Sequence, residues 1–176
     1  MDSSIVSPAD PTLGPTRSRR TSAPFDRKAM ASEFRCNRIV AFHETDMAGI
    51  VPFAVFFQWM EATEHEFLRS LGLSVMQEHQ GRTYGWPRVA ASCDYFLPIR
   101  FEDTIEQHLR VIKKGRKSIT YGITFLRNGQ ACARGRVTAV CCRQGSDHSL
   151  EAVEIPAFFG DKIEVAPARN DEDGAA

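Results

Sequence analysis

The segment from Pro52 to Leu71 limits this chain's folding options more than any other. Phe53, Phe56, Phe57, Met60, Phe67, Leu68 and Leu71 recur at spacings of three, four or seven residues, while Gln58, Glu61, Glu64, Glu66 and Arg69 fill much of the rest. That is the pattern of a helix with one strongly apolar face. Pro52 is expected at the first helical position, where its fixed φ fits and its missing N–H costs little. Gly72 is expected to stop the helix. Ser74 followed by Gln77 is a capping-box pattern and predicts one more short helical turn. A helix of about 18 residues carrying that many aromatics cannot stand in water, and has to lie across another apolar surface.

The rest of the chain supplies that surface as strands. Before the helix, Cys36, Arg38, Val40 and Phe42 alternate with Asn37, Ile39 and Ala41 in a strand expected to end at His43. After Trp86-Pro87, β-favouring residues run from Arg88 to Leu97, Thr104 to Ile112, Lys117 to Leu126 and Ala131 to Cys142. Asn128-Gly129 between the last two is the dipeptide of a two-residue type I′ hairpin, which needs positive φ at both central residues. Lys114-Gly115-Arg116 and the segment 98–103 make the other turns. The expected fold class is α+β: one strand, the long helix, then four antiparallel strands.

With 176 residues, 43% hydrophobic and 25% charged, the chain can fill one core but not two. Lysine plus arginine number 22 and aspartate plus glutamate number 22, so no net field steers it to nucleic acid or an anionic membrane. Any anion site must be local. Five cysteines without a Cys-x-x-Cys pair argue against a disulfide framework or a zinc site and fit a reducing, cytoplasmic setting. No His-Glu-x-x-His spacing offers a metal pair. No stretch nears the ~20 apolar residues of a membrane span. Residues 1–32, rich in Ser, Pro, Thr and Arg, lack apolar periodicity and are expected as a disordered extension; a transit peptide and a start misplaced upstream of Met30 are the other readings. The ordered domain is expected over 33–165, followed by a disordered tail at 166–176.

Chemistry is expected where the first strand meets the helix, in His43-Glu44-Thr45-Asp46-Met47-Ala48-Gly49-Ile50-Val51-Pro52-Phe53. The first turn of a helix has N–H groups without intrahelical acceptors and about half a positive charge. Pro52 contributes no donor, so the Phe53 N–H is among the first able to polarise a carbonyl oxygen. Asp46, preceding a flexible Ala48-Gly49, can fold back toward the same point and deliver a nucleophile. The plainer reading of Asp46 is a capping residue. Lys113, Lys114, Arg116 and Lys117 form a local basic cluster or a solvated hairpin tip.

Phe42 to Gly72, with Thr45-Asp46, Ala48-Gly49-Ile50-Val51, Trp59-Met60-Glu61 and Phe67-Leu68-Arg69, resembles the 4-hydroxybenzoyl-CoA thioesterase family of hot-dog proteins. Pro98, Arg100, Phe101 and Asp103 look like that family's turn between its second and third strands, and Ala152-Val153-Glu154-Ile155-Pro156 like its C-terminal segment. The resemblance implies a five-stranded antiparallel sheet wrapped around a long central helix. It implies an acyl-CoA thioesterase, with Asp46 as general base or nucleophile and the Phe53 backbone N–H on the thioester oxygen. Arg116, Lys117 and Ser118 fall where the family holds the nucleotide phosphates of coenzyme A, which suits a basic cluster. Glu61 is a reserve acidic candidate, since other hot-dog thioesterases place a carboxylate on this helix. Where relatives often have an aromatic pair and then an Asn, this chain has Pro52-Phe53 and Val55, so a more apolar acyl pocket is expected. The resemblance also implies a homodimer or homotetramer, with no metal and no cofactor beyond the CoA of the substrate. A non-catalytic acyl-CoA sensor and a hot-dog hydratase or dehydratase are the alternatives.

Overall fold

A computed structural model describes residues 30–168. The expected extension at 1–32 and the tail at 166–176 fall largely outside them. The chain runs β1 (Glu33–Ile39), a 3-10 turn (Phe42–Glu44), α1 (Phe53–Ser70), β2 (Met76–His79), β3 (Arg82–Gly85), β4 (Arg88–Tyr95), β5 (Thr104–Lys114), β6 (Ser118–Arg127), β7 (Gln130–Val140), β8 (Cys142–Gln144), β9 (Leu150–Ala152) and α2 (Ala157–Gly160). Five strands form one antiparallel sheet in the order β1-β5-β6-β7-β4. Four shorter ones, β2-β3-β8-β9, form a second sheet.

The expected long helix is α1, and its apolar face meets β6 and β7. Phe56 and Trp59 pack on Phe125 with ring centroids 5.3 and 6.0 Å apart, and Phe67 meets Tyr121 edge-on at 6.1 Å. Opposite Phe125 and Ile123 in register, β7 carries Ala133 and Gly135. The small residues admit the helix: a Cβ on Gly135 would stand 2.0 Å from the Met60 sulfur. The helix ends as a Schellman motif, with Leu73 N–H donating to Leu68 C=O at 2.9 Å and Gly72 at φ +66°. Asn128 and Gly129 both take positive φ, 52° and 80°, in the tight β6–β7 hairpin.

Three expectations are corrected. No helical turn follows Ser74; Gln77 does accept from the Ser74 N–H at 3.2 Å, but the chain then pairs as β2 with β3. The local capping signal is outweighed by strand pairing of the kind only tertiary structure provides. Pro52 is the N-cap, with φ −74° and ψ 157°, and Phe53 is the first helical residue; a proline φ suits either place, and ψ decides between them. The first strand stops at Ile39 rather than His43, because Val40 turns to bond with the β4–β5 connection (Val40 N to Asp103 O, 3.0 Å) and a 3-10 turn follows. At the other end, packing continues to Ala166, whose N–H donates to Val111 C=O at 2.9 Å.

Candidate active site

The 3-10 turn and the loop after it set Asp46 in front of α1. Asp46 N–H donates to Ile50 C=O at 3.0 Å and Gly49 N–H to Asp46 C=O at 2.9 Å, so residues 46–50 close a tight loop that needs Gly49 at φ +69°. Asp46 braces this loop itself. Its Oδ1 accepts from the Ala48 N–H at 2.8 Å and the Ile50 N–H at 3.4 Å. Among the described residues Oδ2 has no hydrogen-bond partner and remains available for chemistry. Ile50 bridges Arg100, and Val51 N–H donates to Ile99 C=O at 2.9 Å, which fixes the loop to the far end of the sheet.

Asp46 and the start of α1 border one cavity of about 420 Å³. Phe53 is the first helical residue, so its N–H has no acceptor within the helix. One wall of the cavity is Phe56; Tyr95, Phe96 and Ile99, from the end of β4 and the connection after it, make another. Tyr95 stacks edge-on against Phe56 at 5.0 Å, and its hydroxyl donates to Phe53 C=O at 3.4 Å. Burial, with Cys93 and Asp94 adding to it, pushes the Tyr95 phenol up to about 12. It therefore serves as a neutral donor at ordinary pH. The cavity is open to solvent at a rim where Phe53, Tyr95 and Phe96 are exposed apolar side chains.

The sequence expectations divide. Asp46 and Phe53 come together at one cavity, as their spacing suggested. Arg116, Lys117 and Ser118 do not border it within one chain. They lie at the β5–β6 turn, where Arg116 pairs with Glu154 and Lys117 donates to Ala152 C=O at 2.9 Å. Glu61 is also elsewhere, on the side of α1 that faces β4. There it is exposed, 3.6 Å from Arg88 and 3.9 Å from His65. Its neighbour Glu64 is buried, with Oε2 2.9 Å from Arg88. Burial raises the Glu64 carboxyl above its ordinary range although Arg88 opposes the shift, and burial together with Arg88 lowers His65. The Tyr95–Ile99 wall was missed. Its only sequence signal was an apolar run, Tyr95-Phe96-Leu97, ahead of Pro98. Among the described residues no group of three or more His, Cys, Asp or Glu side chains is placed to hold a metal ion, and no helix is long and apolar enough to cross a membrane.

The profile of the thioesterase-like superfamily matches residues 40–163, which run from just after β1 to just beyond α2. A 1,4-dihydroxy-2-naphthoyl-CoA hydrolase of Prochlorococcus marinus (strain NATL1A) is 34% identical over 107 residues, 56% of this chain and 71% of that protein. Among solved structures, a gentisyl-coenzyme A thioesterase superposes with a TM-score of 0.60 at 25% identity, covering 71% of this chain and 98% of its own. A 1,4-dihydroxy-2-naphthoyl-CoA thioesterase from Synechocystis gives a TM-score of 0.65 at 24% identity over 74% of this chain and 95% of its own, a likeness of fold.

Proposed function

The chain belongs to the thioesterase-like superfamily, and from that membership we propose that it hydrolyses an acyl-CoA thioester to the free acid and CoA. The fold is then the hot dog, with the five-stranded sheet curved around α1. The observation that carries the reading is the shared cavity: a carboxylate with one unoccupied oxygen and a helix N-terminus border the same space. The thioester carbonyl oxygen takes the Phe53 N–H, whose partial positive charge stabilises the developing oxyanion. Asp46 Oδ2 then either removes a proton from the attacking water or adds to the carbonyl carbon itself. In the first route the water oxygen bonds to the carbonyl carbon as the C–S bond breaks, giving the free acid and CoA thiolate. In the second the same bond breaks to leave a mixed anhydride on Asp46, which a water then hydrolyses to the free acid and the regenerated carboxylate.

The acyl group we assign is aryl. Phe53, Phe56, Tyr95 and Phe96 present rings to the cavity, and aromatic pairs gain roughly 0.5–1.5 kcal/mol beyond the burial of their area. The related proteins named above act on naphthoyl and gentisyl thioesters, which are both aryl. A homodimer completes the site. β4 is an edge strand of the main sheet, its residues are mostly exposed, and Val89 on it is an exposed apolar side chain; pairing with a second copy protects such an edge. Arg116 and Lys117 then reach the CoA phosphates from the partner. The test is thiol release from a panel of benzoyl-, branched short-chain and long-chain acyl-CoAs. The account expects turnover to be highest with aryl thioesters. Saturable binding of every member without thiol release would mean a sensor instead.

A further inference from the structure

Behind the Asp46 loop lies a polar cluster that takes no part in the chemistry described so far. Glu44 closes the 3-10 turn, and its side chain is only 12% exposed. Oε2 accepts from the Ala41 N–H at 2.8 Å, which ties the carboxylate to its own turn. Oε1 accepts from the Trp59 indole N–H at 2.8 Å and from Arg38 Nη1 at 3.2 Å. The Arg38 guanidinium also lies over the Trp59 ring, 5.4 Å from its centroid. With its side-chain amide turned so that both its oxygen and its nitrogen find partners, Gln107 accepts from Arg38 Nε at 3.0 Å and donates to the Trp59 carbonyl at 3.2 Å. Burial works against the Glu44 charge, but the Ala41 N–H, the Trp59 indole and Arg38 outweigh it, and the carboxyl stays below its usual range.

The placement of these bonds has a functional consequence. Asp46 is two residues beyond Glu44, and Phe53 is six residues before Trp59 on α1, about 9 Å along the helix axis. One carboxylate therefore joins the segment that carries the candidate nucleophile or base to the helix that carries the candidate oxyanion donor. Asp46's own bonds, to Ala48 and Ile50, are internal to its loop, and the loop's further anchors, Ile50 to Arg100 and Val51 to Ile99, run to the β4–β5 connection rather than to a side chain of the helix. We propose that Glu44 is a positioning residue for thioester hydrolysis, holding Asp46 in register with the N-terminus of α1 through the Trp59 indole. This rests on the assignment of Asp46 given above. Misplacing a reacting group by about 1 Å can cost on the order of 10²-fold in rate, so the effect belongs in kcat rather than in substrate binding.

The experiment compares Glu44→Ala, Glu44→Gln and Trp59→Phe in the full chain with an aryl-CoA substrate. Glu44→Ala is expected to lower kcat by roughly 10- to 100-fold with little change in KM. Glu44→Gln, which keeps one acceptor oxygen, should recover part of the loss. Trp59→Phe keeps the ring packed on Phe56 and Phe125 but removes the donor, and should lower kcat as well; it carries the test if Glu44→Ala does not fold. In nuclear magnetic resonance, the Trp59 indole N–H should exchange faster with solvent in Glu44→Ala than in the wild type. In an Asp46→Asn background, Glu44→Ala should cause little further loss, because the group it positions is already disabled. The proposal is overturned if Glu44→Ala keeps wild-type kcat, if its effect falls on KM alone, or if the losses from Glu44→Ala and Asp46→Asn multiply. Its failure is separable from that of the parent reading: an inactive Asp46→Asn beside a fully active Glu44→Ala removes only the positioning role, whereas an active Asp46→Asn removes the assignment of Asp46.

Discussion

Arg88→Leu should destabilise the protein, and by an amount that depends on pH. The Glu64 side chain is 2% exposed and its charge has one close counter-ion, Arg88 Nη2 at 2.9 Å, while Oε1 has no partner among the described residues. Stranding a buried charge costs about 3–5 kcal/mol. Arg88 itself is 27% exposed, so solvent already screens the pair and the lower end, about 3 kcal/mol, is expected. At about 2–4 °C per kcal/mol for a domain of this size, the midpoint should fall by about 6–12 °C. The sign with pH follows from the direction of the shift. Glu64 is held above the ordinary value of 4.5 in the folded state, so its contribution is fully present below that pH and is lost as pH rises through the folded pKa. Removing Arg88 takes away the charge that opposes the upward shift, so the variant should lose less at pH 5 than at pH 8, because protonation of the carboxyl relieves the stranded charge as pH falls. His65, 3.2 Å from Arg88 Nη2 and lowered in part by its charge, should protonate more readily in the variant and reinforce the recovery in acid. Glu61 remains exposed and contributes mainly as a like charge. Thermal unfolding followed by circular dichroism at the two pH values measures this, with Arg88→Leu/Glu64→Leu as the companion. That double variant, which buries no charge, should regain most of the loss. Equal destabilisation at pH 5 and pH 8, or a double variant worse than the single, would refute the reasoning.

Three further outcomes are expected. Gly135→Ala should cost about 1–3 kcal/mol in urea unfolding, because its Cβ would meet the Met60 sulfur at 2.0 Å beneath the helix. Gly49→Val should lower kcat and cost about 1–3 kcal/mol; among the described residues an Arg100 side-chain nitrogen at 3.8 Å is the one atom within contact of a Cβ there, so the penalty comes from the +69° φ and not from crowding. Arg116→Ala with Lys117→Ala should raise KM for an acyl-CoA and leave KM unchanged for the same acyl group on a thiol without nucleotide phosphates, as steady-state kinetics at low salt would show.

What could be read from the residues alone was whatever the local pattern decides. The stripe from Phe53 to Leu71 has no other stable use than a helix on a sheet, Gly72 and Asn128-Gly129 are demanded by backbone geometry, and the nearness of Asp46 to Phe53 could be read from loop length. The second sheet was not legible. β2 and β3 are four residues each and β8 and β9 three, too short for alternation to show, and they exist because each supplies the other's hydrogen bonds. The Tyr95–Ile99 wall was hidden for a similar reason: only the bridge from Ile50 to Arg100 and the Val51–Ile99 bond bring that segment across from Asp46. Glu44 was read merely as a neighbour of Asp46, since its importance lies in Trp59, fifteen residues away.

Thiol release by Asp46→Asn under saturating aryl-CoA addresses the central claim most directly. An asparagine side-chain oxygen can still accept from the Ala48 and Ile50 N–H groups that hold the loop, so the variant should keep the fold and the substrate affinity while losing the base or nucleophile. The account predicts kcat lower by about 10²-fold or more with KM close to that of the wild type. Turnover within a few fold of the wild type would show that the carboxylate beside the helix tip is not what cleaves the thioester.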